Sequence, residues 1–288
     1  MIIGGIEAGG TKFVCAVGNE YGEIFERISF PTEEPEIVLN KVLDFFNDKN
    51  IQALGIGSFG PIDLNPASET YGFIKNSPKL LWKNFNLLGF FKNNFNIPIS
   101  IDTDVNVAAL GEKTWGAAQG LSNCVYLTIG TGIGGGIISN GKILHGINHS
   151  EMGHIYINKH SKDDFEGKCP FHKICLEGLA SGPAIEKRWN MSAKNIPDTH
   201  FAWELEAYYI AQALVNYLMI LAPEKIILGG GVMKQTHLFP KIREQFKILL
   251  NDYIQNPKLA NNLEEYIVPP KLEDNAGVLG AIALTLKN

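Results

Sequence analysis

Three residues that commonly bind metal ions lie within seven positions in the middle of the chain. Cys169, His172 and Cys175 form a C-x2-H-x2-C pattern, and this spacing allows the three side chains to wrap around one ion. A structural zinc ion needs four Cys or His ligands, whereas a catalytic zinc ion keeps one position open. The structural hypothesis therefore requires a fourth ligand. Four histidines are close enough in sequence to be candidates: His145, His149, His154 and His160.

Two hypotheses without a metal also account for the cysteines: a disulfide, or inert buried thiols beside a solvent-facing histidine. Composition bears on the first of them. The chain has 288 residues, 45% of them hydrophobic, and a net charge of −5. A chain this long buries roughly three quarters of its unfolded surface, so its core needs no covalent staple.

The net negative charge argues against a nucleic-acid partner, since protein surfaces that bind nucleic acid are normally basic. No run of about 18 apolar residues predicts a membrane span, and the first ten residues lack the basic start of a signal peptide. We therefore expect a cytoplasmic protein that binds neither nucleic acid nor membrane. In that compartment a disulfide is disfavoured, and a Cys/His cluster favours a metal.

The elements that must position these residues are indicated by apolar runs between glycine and asparagine clusters. The first thirty residues predict three strands, IIGGI, FVCAV and EIFERISF. The segment EPEIVLNKVLDFFNDK predicts a helix with one buried face. That face comprises Ile37, Val38, Lys41, Val42, Phe45 and Phe46. Two further strands, ALGIGSF and IPISI, precede a helix that begins near Asp104.

From Cys124 the opening pattern recurs: a strand CVYLTI, a turn GTGIGGG, a strand GIIS, a hairpin at Asn140-Gly141 and a returning strand KILHG. A helix near Leu205–Ala222, a strand KIILGGGVM and the closing segment EDNAGVLGAIALTL follow. This internal duplication predicts two α/β halves, each opening with antiparallel hairpins around a glycine-rich turn.

The turn GTGIGG matches the dinucleotide fingerprint GxGxxG, which raises the hypothesis of an NAD(P)-linked oxidoreductase. That fingerprint requires a helix after the turn, whereas here a strand and a hairpin follow. A better interpretation of this turn and of GGIEAGGTKF is a pair of hairpin turns that present backbone N–H groups to phosphates, with the Thr11 and Thr131 hydroxyls as further donors. For either turn alone, the alternative is a tight hairpin that binds no phosphate. The two turns together, with a third glycine cluster LGGGVM, make that alternative less favoured.

Seven segments along the chain resemble the ROK family (repressor, open reading frame, kinase), and within it the zinc-containing fructokinase branch. They are GGIEAGGTK, DTDVNVAALGE, LTIGTGIGGGI, HSEMGHI, CPFHKICLEGLASGPAIEKRW, LGGGVM and DNAGVLGA. The resemblance implies an actin-like, ribonuclease-H-like ATPase fold with two α/β domains flanking an active-site cleft. It also implies transfer of phosphate from ATP to the 6-hydroxyl of a hexose, with fructose as the preferred sugar and mannose as a second candidate.

Phosphoryl transfer to an alcohol requires a base, and Asp104 is the candidate because it lies at a strand-to-helix junction. Spacing alone leaves a helix N-cap as an equal alternative for this aspartate. The resemblance favours catalysis, because the position matches the family's catalytic aspartate. For Asp102 we expect a structural role or a role in supporting the neighbouring site residues. Thr103 stands where the family usually has a sugar-binding asparagine, so the set of sugar contacts differs here.

The resemblance also implies the remaining ligands of substrate and nucleotide. Thr103, Glu151, His154 and Glu177 would contact the sugar. The residues expected to contact ATP are Gly9, Gly10, Thr11, Lys12, Thr131, Gly132, Pro183, Gly230, Gly231 and Lys234. Glu7 stands where many relatives have aspartate, and it would organise the Mg²⁺ that accompanies ATP through water.

For the metal centre, the resemblance implies that His154 is the fourth ligand of a structural zinc ion with Cys169, His172 and Cys175. It further implies a smaller domain of residues 1–115 with a C-terminal helix at about 272–288, a larger domain of residues 116–271, and a homodimer formed through the larger domain. A broader mannokinase, fructokinase or glucokinase remains an alternative. A sugar-responsive repressor is disfavoured, because such proteins carry an N-terminal helix-turn-helix and this sequence starts directly with the first strand.

Overall fold

The computed structural model describes residues 1–77 and 79–287 of the chain. The strands are β1 Ile3–Ala8, β2 Lys12–Gly18, β3 Ile24–Pro31, β4 Ala53–Ser58, β5 Phe73–Ile74, β6 Phe85–Asn86, β7 Ile99–Thr103, β8 Cys124–Ile129, β9 Ile133–Ser139, β10 Lys142–Ile143, β11 Lys225–Gly229 and β12 Ile267–Val268. The helices are α1 Pro35–Phe46, α2 Leu87–Asn94, α3 Asp104–Thr114, α4 Leu176–Ala180, α5 Gly182–Trp189, α6 Ala202–Leu221, α7 Leu238–Leu250, α8 Pro257–Asn261, α9 Leu263–Tyr266 and α10 Ala276–Leu284.

Two five-stranded sheets share one strand order. The first is β3-β2-β1-β4-β7 and the second is β10-β9-β8-β11-β12. In the first sheet β1 pairs antiparallel with β2 and parallel with β4, and β4 pairs parallel with β7. In the second, β11 pairs parallel with both β8 and β12. The predicted duplication is therefore confirmed, and the sheets are mixed, as a hairpin followed by helical crossovers requires.

Both faces of the first sheet are covered, which explains the continuous apolar run of β2. Phe13 and Cys15 point into a core cluster that contains Val38 and Phe46 of α1. The alternate residues Val14 and Ala16 pack with Val278 of α10 on the opposite face. β3 lies at the sheet edge, and most of its residues are exposed. A central strand buried on both faces reads as an unbroken hydrophobic segment, as β2 does.

The predicted helix at residues 34–49 forms as α1, but its buried face differs from the prediction. Val38, Leu39, Val42 and Phe46 are buried. Ile37 is 46% exposed and Lys41 is exposed as well, so the assignment of these two residues to the buried face was wrong. Likewise, the returning strand after the Asn140-Gly141 hairpin contains only Lys142–Ile143. The C-terminal helix runs over Ala276–Leu284, shorter than the predicted 272–288, with single 3-10 turns at Glu273–Asn275 and Thr285–Lys287.

The chain divides into two compact units. The first comprises Met1–Gly120, Gly136–Ser150 and Lys271–Asn288, and the second comprises Leu121–Gly135 and Glu151–Pro270. The predicted domain boundaries stay a prediction, because compactness does not by itself define an independently folding domain. Across the residues that the structure describes, no helix has both the length and the apolar character needed to cross a bilayer.

Candidate active site and metal centre

Asp104 lies at the carboxyl end of β7 and is the first residue of α3. Thr103, not Asp104, occupies the N-cap, and its Oγ1 accepts a hydrogen bond from the Asn106 N–H at 3.1 Å. The N-cap alternative for Asp104 is therefore wrong. Asp104 is half-buried, and its Oδ1 accepts from the Val105 N–H at 2.9 Å. The first turn of a helix stabilises a negative charge, so a carboxylate base fits this position.

Asp102, two residues earlier, is buried and has the structural contacts expected of it. Its Oδ1 accepts from the Thr103 N–H at 2.8 Å and from Asn106 Nδ2 at 2.7 Å. Its Oδ2 lies 2.8 Å from His145 Nε2. From the sequence, His145 was a candidate only for the fourth metal ligand. Nothing in the local pattern could have paired it with an aspartate 43 residues away.

The first glycine-rich turn joins β1 to β2 and contains Gly9, Gly10 and Thr11. The Gly9 N–H donates to the Lys12 carbonyl at 3.0 Å, and the Thr32 hydroxyl donates to the Gly9 carbonyl at 2.7 Å. These bonds hold the turn as a tight hairpin, and its contact with phosphate stays a prediction. Before the turn, burial raises the pKa of Glu7, an effect that Lys12 and other charges partly oppose.

The segments predicted to contact ATP in the second unit adjoin one another. The Gly130 N–H donates to the Gly132 carbonyl at 2.9 Å, and the Gly182 N–H donates to the Gly130 carbonyl at 2.8 Å. A Cβ placed on Gly130 would lie 3.7 Å from the Gly231 nitrogen. Pro183 stands in the first turn of α5, and Lys234 ends a 3-10 turn at Val232–Lys234. The turn at Gly130 leads into β9, not into a helix, which removes the structural basis of the oxidoreductase hypothesis.

Glu177, in the first turn of α4, links the glycine turn to the metal cluster. Its Oε2 accepts from the Ile133 N–H at 2.9 Å, and its Oε1 lies 3.9 Å from His154 Nε2. Glu151 is exposed and immediately precedes the 3-10 turn Met152–His154. A Cβ on Gly153 would lie only 1.9 Å from the Ile133 carbonyl oxygen, so this turn packs directly on β9 and only glycine fits.

The four predicted metal ligands meet in the second unit. The candidate ligand atoms of His154, Cys169, His172 and Cys175 all lie within 4.8 Å of one another. Cys169 Sγ is 3.7 Å from Nδ1 of both histidines, and Cys175 Sγ is 3.6 Å from His154 Nδ1. A tetrahedral zinc ion with ordinary bond lengths requires sulfur–nitrogen separations of about 3.6 Å. The residues therefore fit a closed, four-coordinate ion.

The other candidate histidines have different surroundings. His145 pairs with Asp102, His149 Nε2 lies 3.4 Å from the Ile62 nitrogen, and His160 Nδ1 accepts from the Lys162 N–H. All four cysteines of the chain are free thiols, so the disulfide hypothesis is wrong for this structure. Burial raises the pKa of the Cys175 thiol to about 11. A metal ion would bind the thiolate and displace that proton.

The repeated strand order, the two glycine-rich hairpin turns and the carboxylate after β7 define an α/β protein of the actin-like ATPase class. The model of the ROK family matches residues 3–288, and the chain belongs to that family.

Similar proteins span the whole chain. A curated protein of Bacillus subtilis (strain 168) is 53% identical over 283 residues, covering 98% of this chain and 95% of its own length. The fructokinase of Pediococcus pentosaceus is 49% identical over 291 residues, covering 100% of both chains. Among solved structures, the ROK hexokinase of Thermus thermophilus superposes with a TM-score of 0.79 at 25% identity, covering 99% of this chain and 97% of its own.

Proposed function

We propose that this protein is an ATP-dependent fructokinase that phosphorylates the 6-hydroxyl of D-fructose. The observation that carries the proposal is the full-length similarity to the Pediococcus pentosaceus fructokinase. The fold and the positions of the polar residues are compatible with that activity. A broader preference that includes mannose or glucose is an outcome of the test below.

Asp104 is the general base of the proposed reaction. Its carboxylate accepts the proton of the sugar's 6-hydroxyl as that oxygen forms a bond to the γ-phosphorus of ATP. The bond from the γ-phosphorus to the bridging oxygen breaks, and ADP leaves. Such reactions depend on alignment and charge neutralisation more than on covalent chemistry. A base held at the end of a buried strand, in the first turn of a helix, meets the demand for alignment.

The sugar ligands in this proposal are Thr103, Glu151, His154 and Glu177. Carboxylates suit a sugar because one group accepts from two neighbouring hydroxyls, and a site built this way discriminates against analogues that lack them. Thr103 uses its oxygen lone pair to cap α3, and its hydroxyl proton is the donor it offers to a sugar oxygen. This differs from an amide, which offers two N–H donors and a carbonyl.

ATP binds, in this proposal, through backbone N–H groups of the three glycine-rich segments. The residues concerned are Gly9, Gly10, Thr11, Lys12, Thr131, Gly132, Pro183, Gly230, Gly231 and Lys234. Mg²⁺ accompanies the nucleotide, and the Glu7 carboxylate organises it through water. Because burial raises the pKa of Glu7, a nearby dication would favour its ionised form.

The cluster of His154, Cys169, His172 and Cys175 holds a structural zinc ion in this proposal. The observed sulfur–nitrogen separations support it. A closed set of four protein ligands leaves no position for a reacting water, so the ion would stabilise this segment and not perform chemistry. It would fix the turn that follows Glu151 and the start of α4 that carries Glu177.

We also propose a homodimer formed through the second unit. Several large apolar side chains there are exposed: Tyr156, Phe171, Met219, Ile220, Ile248 and Leu249. Tyr156 and Leu249 line one depression of about 400 Å³ together with residues of α6. Exposed apolar patches of this kind commonly mark protein interfaces. Sedimentation analysis of wild type and Ile220→Glu tests the proposal, and a monomeric wild-type protein would refute it.

We propose that the protein is located in the cytoplasm. Free thiols in a Cys/His cluster are typical of a reducing compartment, and ATP is the proposed co-substrate.

A coupled assay of ADP release with fructose, mannose and glucose tests the activity. We expect the highest kcat/KM with fructose. Absence of turnover with every hexose, in protein loaded with zinc and supplied with Mg²⁺, would refute the proposal. A higher kcat/KM for mannose or glucose would refute the fructose preference alone.

The role of Asp104 is tested by Asp104→Asn, because the amide keeps the oxygen that accepts from the Val105 N–H. We expect kcat to fall by at least about 100-fold, with hexose binding retained in a calorimetric titration. Residual kcat within tenfold of wild type would rule out Asp104 as the base.

A further inference from the structure

The carboxylate of Asp102 accepts hydrogen bonds from groups on both sides of Asp104, a backbone N–H before it and a side-chain amide after it. Asp102 is 3% exposed. Its Oδ1 accepts from the Thr103 N–H and from Asn106 Nδ2, so the donors lie one residue before and two residues after Asp104. One buried carboxylate therefore contacts both sides of the junction at which β7 becomes α3.

The second oxygen of this carboxylate is engaged by a histidine from a distant segment. Asp102 Oδ2 lies 2.8 Å from His145 Nε2, with side-chain exposures of 5% and 42% respectively. A buried carboxylate is costly unless it is paired and hydrogen-bonded. His145 supplies this partner while its ring remains accessible to solvent. The bond fixes the second oxygen and thereby the rotation of the carboxyl group.

The segment that carries His145 is held against α3 by direct backbone packing. A Cβ placed on Gly136 of β9 would lie 2.3 Å from the Val105 carbonyl oxygen and 2.9 Å from Ala109 Cβ. β10 follows β9 through the Asn140-Gly141 turn and pairs with it antiparallel, and His145 comes two residues after β10. The imidazole is thus presented to Asp102 from a hairpin that already rests on the first turns of the helix.

We propose that His145 is a positioning residue for the phosphoryl transfer. Through Asp102 it holds Asp104 in the geometry in which the carboxylate accepts the proton of the sugar hydroxyl. The inference rests on the proposed role of Asp104 as the base. His145 touches neither of the reacting groups in this scheme, so its loss affects the alignment of the base and not the binding of either substrate. Misplacement of a reacting group by about 1 Å costs on the order of 100-fold in rate.

The experiment compares His145→Ala, His145→Gln and the control Ile147→Ala in the zinc-loaded, full-length protein. Ile147 lies in the same segment with its side chain 99% exposed. We expect His145→Ala to lower kcat by about 10- to 100-fold, with the KM values for hexose and ATP within about threefold of wild type. Glutamine places an amide N–H near the position of Nε2–H, so His145→Gln should restore most of the lost kcat. Ile147→Ala should match wild type.

Three results would overturn the inference. One is a kcat for His145→Ala within twofold of wild type. Another is a raised KM with unchanged kcat, which would mean that the ring contacts substrate. The third is a folded His145→Gln protein, judged by an unchanged melting temperature, whose kcat is about tenfold or more below that of wild type. The glutamine variant decides the matter even where His145→Ala does not fold.

Parallel measurement of Asp104→Asn separates this inference from the assignment of the base. An active Asp104→Asn protein would refute the base assignment, and the inference with it. An inactive Asp104→Asn protein beside a fully active His145→Ala protein would refute the role of His145 alone.

Discussion

Glu177→Gln is predicted to weaken metal binding without removing any metal ligand. Glu177 Oε1 lies 3.9 Å from His154 Nε2, on the ring edge opposite the Nδ1 atom that faces the cysteine sulfurs. Carboxylates that face a ligating histidine in this way orient its ring and raise its basicity, and their loss typically costs 10- to 100-fold in metal affinity. Because 3.9 Å is longer than a direct hydrogen bond, we expect the lower end of this range. That is about tenfold, equivalent to about 1.4 kcal/mol.

Glu177→Ala is expected to have a larger effect, since it also removes the acceptor of the Ile133 N–H. An unsatisfied buried N–H costs about 1–3 kcal/mol, and here that cost would fall on the glycine turn at Gly130–Gly132. The alanine variant should therefore show a raised KM for ATP as well as weaker zinc binding. In the glutamine variant the amide oxygen can still accept from Ile133, so the KM for ATP should stay near that of wild type.

The assay is a competition titration of zinc against a chromophoric chelator, which measures metal affinity independently of turnover. Glu186→Gln is the matched control, because Glu186 is exposed on the neighbouring helix α5. Zinc affinity within twofold of wild type for both Glu177 variants would refute the argument that Glu177 supports His154.

Three further predictions concern stability and its dependence on pH. Glu112→Ala removes a buried carboxylate that accepts hydrogen bonds from three backbone N–H groups at 2.6, 2.8 and 3.2 Å. Each N–H left without a partner costs about 1–3 kcal/mol, so denaturant titration should show the free energy of unfolding fall by at least about 3 kcal/mol. A fall below about 1 kcal/mol would contradict this. Gly153→Ala should displace the turn that carries His154 from β9 and reduce the zinc retained on gel filtration, whereas full zinc occupancy with unchanged melting temperature would count against the packing argument. Burial raises the pKa of Glu206 well above its usual value, so the folded state binds more protons than the unfolded state as pH rises from about 4.5, and stability falls over that range. The melting temperature of wild type should therefore fall more between pH 5 and pH 8 than that of Glu206→Gln, and parallel pH profiles would refute this.

Much of the fold follows from short stretches of sequence. The strands β1, β2, β4 and β8 are short, mainly apolar segments, and the same order of strand and glycine-rich turn begins again at Cys124. Such patterns depend on neighbours within a few residues, so they predicted the elements and the duplication correctly. The buried face of α1 was less well predicted. Its apolar residues occupy more than one face, and packing against the sheet, not spacing, selects Leu39 over Ile37.

The candidate site was predicted unevenly for the same reason. Local spacing brought Cys169, His172 and Cys175 together as ligands, and it placed Asp104 at a strand-to-helix junction. Spacing alone left four histidines as candidates for the fourth ligand. It also left two roles open for Asp104, catalytic base and helix N-cap. The structure brings His154 to the other three residues and assigns the cap to Thr103, because both outcomes depend on how the chain packs.

The sequence by itself determined the α/β class, the paired glycine-rich turns and the three-residue metal pattern. Only the tertiary structure decided which histidine joins the cysteines, that Glu177 bridges His154 to the turn at Ile133, and that His145 reaches Asp102. The physical reason is distance along the chain. A turn or a ligand spacing depends on residues a few positions apart. These contacts join residues 15 to 44 positions apart and exist only once the sheets have formed.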